Sequence, residues 1–251
     1  MEIIIPAYNC TETIGRTLDS LVDQTNKSFT VLVVDDCSTQ DIHSIIENYT
    51  NKLNIRYIRN DNNVGCGMTR QRGIDETTAD YIAFLDSDDK LLPEAVDIWT
   101  REIKKSNPEV IYSPWLFDDG KRIFKTSFYP LHMCHGKVYN VEFLKKYNIG
   151  ESEIIKCNDD LYLNLQVFDL ANNVSILSEY TYVYIDNVNS VTHQDGFTTR
   201  GNQERQIALD LASKHISLFK DNPLEKYLEL ERKLRENLFT LRKNSIINST
   251  K

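Results

Sequence analysis

Tyr81-Ile82-Ala83-Phe84-Leu85-Asp86-Ser87-Asp88-Asp89 places three carboxylates directly behind a short apolar run. The run from Tyr81 to Leu85 reads as a strand buried on both faces, the kind that parallel sheets use. Oxygen-rich clusters of this sort hold Mg2+ or Mn2+, hard ions that commonly share their coordination with substrate phosphates. The bland alternative is an acidic turn facing water. A calcium-binding EF-hand is excluded by spacing: counting from Asp86, position 6 is Leu91 where glycine is required, and position 12 is Asp97 rather than glutamate.

The same grammar runs upstream. Glu2 to Ile5 reads as a buried strand closed by Pro6, Thr30 to Val34 as a second, and Ile55 to Ile58 as a third. Between them lie helical spacings. Asn9 with Glu12 resembles a capping box opening a helix with Ile14, Leu18, Leu21 and Val22 on one face, and Asp41 to Tyr49 repeats Ile42, Ile45, Ile46 and Tyr49. Strands alternating with helices predict an α/β domain built on a largely parallel sheet. In such sheets the loops beyond the carboxyl ends of the strands build the ligand site, so Pro6 to Asn9, Asp35-Asp36 and Asp86 to Asp89 are expected to converge.

Downstream, Pro93 suits the first turn of a helix with Val96, Trp99 and Ile103 as its buried stripe. Val110 to Phe117 and Arg122 to Phe128 flank Asp118-Asp119-Gly120 as a hairpin. Helical segments over Val141 to Tyr147 and Leu161 to Ala171 precede a β-rich stretch from Val174 to Ile185. Beyond residue 200 two amphipathic helices follow, one carrying Ile207, Leu211, Leu218 and Phe219, the other Leu224, Leu228, Leu234, Leu238 and Leu241, split by Asn222-Pro223. The expected organisation is a domain over 1–200, in two halves at 1–100 and 101–200, then a helical appendage at 201–251.

Composition narrows the function. Over 251 residues the net charge is −8, which gives no basic footprint for nucleic acid and disfavours an anionic membrane. Apolar residues at 41% suffice for a sizeable core. Five cysteines at wide spacing suggest neither a disulfide framework nor a CxxC pair, so they read as reduced and cytosolic. The start, Met1-Glu2-Ile3, lacks the basic residues of a signal peptide, and no stretch approaches 18 consecutive apolar residues. The expected location is cytoplasmic, with no transmembrane segment.

Four motifs in order carry a family resemblance. Glu2-Ile3-Ile4-Ile5-Pro6-Ala7-Tyr8-Asn9, Val33-Val34-Asp35-Asp36-Cys37-Ser38-Thr39, Asn62-Asn63-Val64-Gly65 through Arg70-Gln71-Arg72-Gly73, and Phe84-Leu85-Asp86-Ser87-Asp88-Asp89 resemble the motif series of glycosyltransferase family 2. A weaker match continues through His135-Gly136-Lys137-Val138-Tyr139 and Asn158-Asp159-Asp160-Leu161. The resemblance implies a GT-A fold with a nucleotide-sugar-binding half at 1–100 and an acceptor-side half at 101–200, a nucleotide-diphosphate sugar as donor, Mn2+ or Mg2+ as cofactor, and transfer with inversion at the anomeric carbon.

Carried onto these positions, the resemblance implies donor contacts from Pro6, Ala7, Tyr8, Asp35, Arg70, Asp86 and Ser87. Asp35 would pair with a uracil NH, making the donor a UDP-sugar, and Tyr8 would pack on the base. Asp86 and Asp88 match the DXD metal pair, joined by His193. Asp160 would be the base that takes the acceptor's proton, with Asp159 standing where the family has Glu. Thr69-Arg70-Gln71 replaces the usual Ala-Arg-Asn. His132 and His135 read as ordinary residues, and Lys137 as a group within reach of the acceptor. The acceptor is expected to be a glycan or lipid-linked saccharide and nucleic acid an unlikely partner. Gln-x-x-Arg-Trp and the membrane helices of processive synthases are missing, so a single addition is expected. The last two helices would pack on the core, frame the acceptor or form a homodimer. Two rivals remain. One is an aspartyl-type phosphohydrolase, disfavoured because Lys90 stands where Thr or Val is usual. The other is a non-catalytic relative that binds a partner.

Overall fold

The computed structural model describes residues 1–126, 132–155, 159–187, 197–215, 220–229 and 232. Ile3, Ile4 and Ile5 are apolar to both faces and fully shielded, which puts β1 (Glu2–Ala7) at the centre of the main sheet. β2 (Thr30–Asp35) and β3 (Ile55–Arg59) add on one side and β4 (Tyr81–Phe84) on the other, all parallel. Beyond β4 come β9 (Lys137–Asn140), antiparallel to both neighbours, then β6 (Val110–Tyr112) and β10 (Val174–Ile176), giving the order β10-β6-β9-β4-β1-β2-β3. A second sheet, β5-β11-β7-β8, joins β5 (Lys90–Leu91), β11 (Tyr182–Ile185), β7 (Trp115–Asp118) and β8 (Ile123–Lys125).

Helices fill the crossovers. α1 (Ile14–Val22), α2 (His43–Glu47), α3 (Cys66–Glu76), α4 (Ala95–Ser106), α5 (Val141–Lys146), α6 (Asp159–Leu170) and α7 (Phe197–His215) follow in chain order. α1 buries Ile14, Leu18 and Leu21 against one face of the sheet with Ile3, Ile5 and Val33. The other face packs Ile4, Leu32 and Val34 with Ile74 of α3 and Leu163 of α6.

Several local expectations change. Pro6 lies inside β1 rather than closing it, paired with Val34. The Ile4 carbonyl faces β4, accepting from the Leu85 N–H, and two residues on Pro6 points the same way, past the last β1–β4 pair. Its missing N–H therefore costs no ladder bond. The capping box does not form: Thr13 starts α1 without a side-chain cap, and the Asn9 side-chain oxygen instead accepts the N–H groups of Thr39 and Gln40. Val110 to Phe117 is two strands, because Ser113-Pro114 interrupts the ladder and the chain changes sheets. Val174 to Ile185 divides likewise into β10 and β11.

α7 begins at residue 197, and its Ala208, Leu209 and Ala212 pack on Ile155 and on Leu161 and Leu165 of α6. The described part of the C-terminal region thus spends this apolar face on the helix that carries Asp159 and Asp160. Leu218, Phe219, Leu234, Leu238 and Leu241 lie outside the described residues. Among the described residues no helix is long and apolar enough to cross a membrane.

Candidate active site

The parallel strands deliver their last residues to one edge. Tyr8 follows β1, Asp35 ends β2, and Asp86 to Asp89 follow β4. The Asp36 N–H donates to the Ala7 carbonyl and the Asn9 N–H to the Ser38 hydroxyl, which ties the first two loops together. Arg70, on α3, connects them to the second half of the chain. It is only 4% exposed, and its guanidinium donates to Asp159 and Asp160 through one nitrogen and to Asp86 through the other, at 2.8 Å to Asp159 and to Asp86. The closeness depends on Gly67: a Cβ there would stand 2.8 Å from the Asp159 Cβ. Asp160 also accepts the Cys134 N–H at 2.8 Å.

One buried cation thus faces three carboxylates. Burial raises the Asp86 carboxyl, but the Arg70 charge and the His135 hydrogen bond prevail and hold it below the usual range. Asp159 goes the other way: burial pushes it up to about 7 against the pull of Arg70, with Asp160 adding to the rise.

A second group adjoins it. His135 Nε2 lies 3.3 Å from Asp86 Oδ2 and 3.7 Å from Asp89 Oδ2, and its ring stacks on Tyr182 at 4.6 Å. Asp89 is wholly shielded, accepting the Tyr182 hydroxyl at 2.6 Å and the Ile185 N–H at 2.8 Å. Burial pushes its carboxyl up to about 7, opposed by His135 and reinforced by Asp86 and Asp88. Burial disfavours a charged His135, yet the hydrogen bond to Asp86 and the charge of Asp89 outweigh it and raise its pKa. Tyr182 also accepts the Asp86 N–H at 3.2 Å. Tyr182→Phe therefore strands an acceptor and a donor in a buried setting. The expected loss is about 1–3 kcal/mol of stability, read from urea unfolding, and an unchanged midpoint would refute this role for the hydroxyl.

Asp86, Asp89 and His135 each offer an atom within 4.8 Å of the others. Two carboxylate oxygens and an imidazole nitrogen are a donor set that Mn2+ accepts, so the residues present fit a divalent ion. Asp88 stands outside this group. It is half-buried, accepts from Asn187 Nδ2 at 3.1 Å, and has its carboxyl raised by burial and by Asp86. His193 lies outside the described residues.

At the ends of β1 and β2, Tyr8 is 49% exposed, an open ring beside the second loop. Asp35 is fully shielded and accepts from the Ser38 N–H (2.9 Å), the Tyr57 hydroxyl (2.6 Å) and Arg59 (2.5 Å). Burial opposes these donors but they hold its carboxyl below the ordinary value. Ala7 is buried, and Ser87 is half-buried beside the Cys10 thiol.

Sequence reasoning passed over three groups here. His135 read as ordinary, and neither Tyr182 nor Glu151 drew notice. The small sheet also presents Trp115, Phe117, Phe124 and Tyr184 in ring contact at 5.6–6.1 Å, leading from His135 to the exposed Phe124. Period-two spacing in β7 and β11 signals that wall once the strands are known.

The model of the family described as Glycosyl transferase family 2 matches residues 2–156. The poly(ribitol-phosphate) beta-N-acetylglucosaminyltransferase TarS of Staphylococcus aureus is 28% identical over 198 residues, covering 72% of this chain and 35% of TarS. A poly(ribitol-phosphate) beta-glucosyltransferase of Bacillus spizizenii is 27% identical over 202 residues, covering 74% and 32%. The chain therefore spans about a third of the length of these relatives. In structure, TarS 1-349 in complex with UDP-GlcNAc superposes with a TM-score of 0.70 at 23% identity, over 88% of this chain and 74% of that one. A mannosyltransferase of Pyrobaculum calidifontis in complex with GDP-Man and Mn2+ gives 0.65 at 13% identity, over 85% and 64%. The mixed, mostly parallel sheet with flanking helices is the fold they share.

Proposed function

Because the chain belongs to glycosyl transferase family 2, we propose that it moves a sugar from a UDP-sugar to a hydroxyl of a glycan or lipid-linked acceptor, with inversion and one addition at a time. The observation that carries this reading is Arg70, which gathers Asp86 from the donor half and Asp159 and Asp160 from the acceptor half into one cluster. The UDP-GlcNAc bound by TarS supports a uridine donor, and the first two relatives' names support an N-acetylhexosaminyl or hexosyl group.

Inversion needs a base on the face opposite the leaving diphosphate. Asp160 fits this role: Arg70 and the Cys134 N–H orient its oxygens, and it opens α6. Tyr8 would cover the base, and Asp35 would accept its NH. Asp86 and Asp88, with His193, or alternatively Asp89 and His135, would hold a divalent ion, which when bound offsets the charge of the departing diphosphate. The aromatic wall from Trp115 to Phe124 suits the apolar faces of an acceptor sugar.

Thermal shifts with UDP, GDP and CDP, each with and without Mn2+, test the reading. Ligand at 100 times its Kd adds about 2.7 kcal/mol, or about 5–11 °C for a chain of this size. UDP should give the largest shift, enhanced by Mn2+, and Asp88→Asn should remove the Mn2+ enhancement. A response to no nucleotide would overturn the reading. Loss of the enhancement in His135→Ala but not in Asp88→Asn would assign the ion to Asp86, Asp89 and His135.

A further inference from the structure

Glu151 is used by nothing in the mechanism above, yet it offers an oxygen within 4.8 Å of Asp159 and Asp160. Both of its carboxylate oxygens are shielded from water and neither finds a hydrogen-bond partner among the described residues. Its position is built rather than accidental. The Glu151 N–H donates to Gln71 Oε1 at 2.9 Å, and the Gly150 carbonyl accepts Gln166 Nε2 at 2.7 Å, so α3 and α6 together clamp the turn. Gly150 is needed for this, since a Cβ there would fall 2.2 Å from Gln71 Oε1.

Charge counting then decides the state of the group. The titratable groups facing it are Asp159 and Asp160 from α6, Arg70 from α3, and the Cys134 thiol ahead of β9. Arg70 is the one permanent cation among them, and Asp86 also draws on it. Three carboxylates so close, shielded and sharing one guanidinium, cannot all be ionised. A proton fills the gap: a protonated carboxyl becomes a donor, and two acceptors that otherwise repel can bond. Asp160 has two donors already, Arg70 and the Cys134 N–H, so the negative charge is best placed there.

We propose that Glu151 is a positioning residue that keeps its proton in the folded protein and donates it to the Asp159–Asp160 pair, leaving the charge on Asp160. Asp160 as the base rests on the glycosyltransferase reading, whereas the proton on Glu151 does not. Burial, then Asp159 and Asp160, raise the Glu151 carboxyl well above the ordinary value against Arg70. A group raised on folding adds stability below its unfolded pKa, and that contribution is lost as pH rises through the folded one.

Glu151→Gln and Glu151→Ala test this. Glutamine mimics the neutral acid and has a donor to give, so E151Q should melt higher than the wild type at pH 8 by about 3–5 °C, what a tenfold change in one proton equilibrium carries in a chain of this size. The gap should close at pH 4 to 5. In transfer assays E151Q should keep kcat and its pH profile within about threefold. E151A should shift the acid limb of kcat while leaving KM for the donor unchanged. A melting gap independent of pH overturns the proposal, as does an E151Q that melts lower than wild type at pH 8. So does an increment from Mn2+ alone that wild type shows and E151Q loses, which would make the three carboxylates a cation site. The melting comparison needs no turnover, so absence of transfer would overturn the glycosyltransferase reading without touching it.

Discussion

Arg70→Ala is expected to destabilise the protein by about 3–5 kcal/mol at neutral pH and to reduce transfer to background. Removing one partner of a buried ion pair leaves uncompensated charge, and here a single guanidinium serves Asp86, Asp159 and Asp160. The pH dependence has a definite sign. Asp86 has its carboxyl depressed in the fold, so its contribution is present above the unfolded carboxyl value of about 3.9 and is lost as pH falls. The difference between wild type and R70A should therefore be largest above about pH 5 and shrink towards pH 3. Urea unfolding at pH 7.5 and pH 3 measures both. Arg70→Lys should recover part of the stability, because an ammonium keeps the charge but cannot present two nitrogens in a planar fork. If R70A unfolds at the wild-type midpoint, the cluster does not hold the two halves together.

Asp160→Asn should leave donor binding in place and slow transfer by about 10²- to 10⁴-fold, the range for loss of a positioned general base. The substitution keeps the shape of the side chain, and its amide oxygen can still accept from Arg70. The Cys134 N–H loses its carboxylate acceptor, which costs about 1–3 kcal/mol of stability. The informative comparison is the thermal shift from UDP, which should match wild type, beside a transfer rate that falls. Turnover within a few fold of wild type would remove Asp160 from the role of base.

The candidate residues of the first hundred positions are legible because they are written in short, ordered stretches. Asp86, Asp88, Arg70 and Asp35 each sit in a motif a few residues long, at the end of a strand or in the loop and helix that follow one. Asp159 and Asp160 were legible as acids at a helix start, with a second reason to be there, since carboxylates favour that end of any helix. Arg70 was harder. Nothing local distinguishes a surface arginine on a helix from one 4% exposed, and its partners Asp159 and Asp160 lie 89 and 90 residues away.

The strand readings show the same division. Wholly apolar runs such as Ile3 to Ile5 announced buried strands, because a two-sided core demands them. Sheet membership was silent: Val110 to Phe117 looks continuous, and only the change of sheet at Ser113-Pro114 reveals two strands with different partners. Alternation of β-branched runs and helical periods by itself determined the α/β class and the edge to which the strands deliver Tyr8, Asp35 and Asp86, since period is a local property of the chain. Tertiary structure alone decided that His135 stands between Asp86 and Asp89, that Asp35 is already engaged by Tyr57 and Arg59, and that Glu151 is shut away beside Asp159 and Asp160. Those are pairings across long separations, and the burial that gives them their chemistry exists only once distant segments have packed.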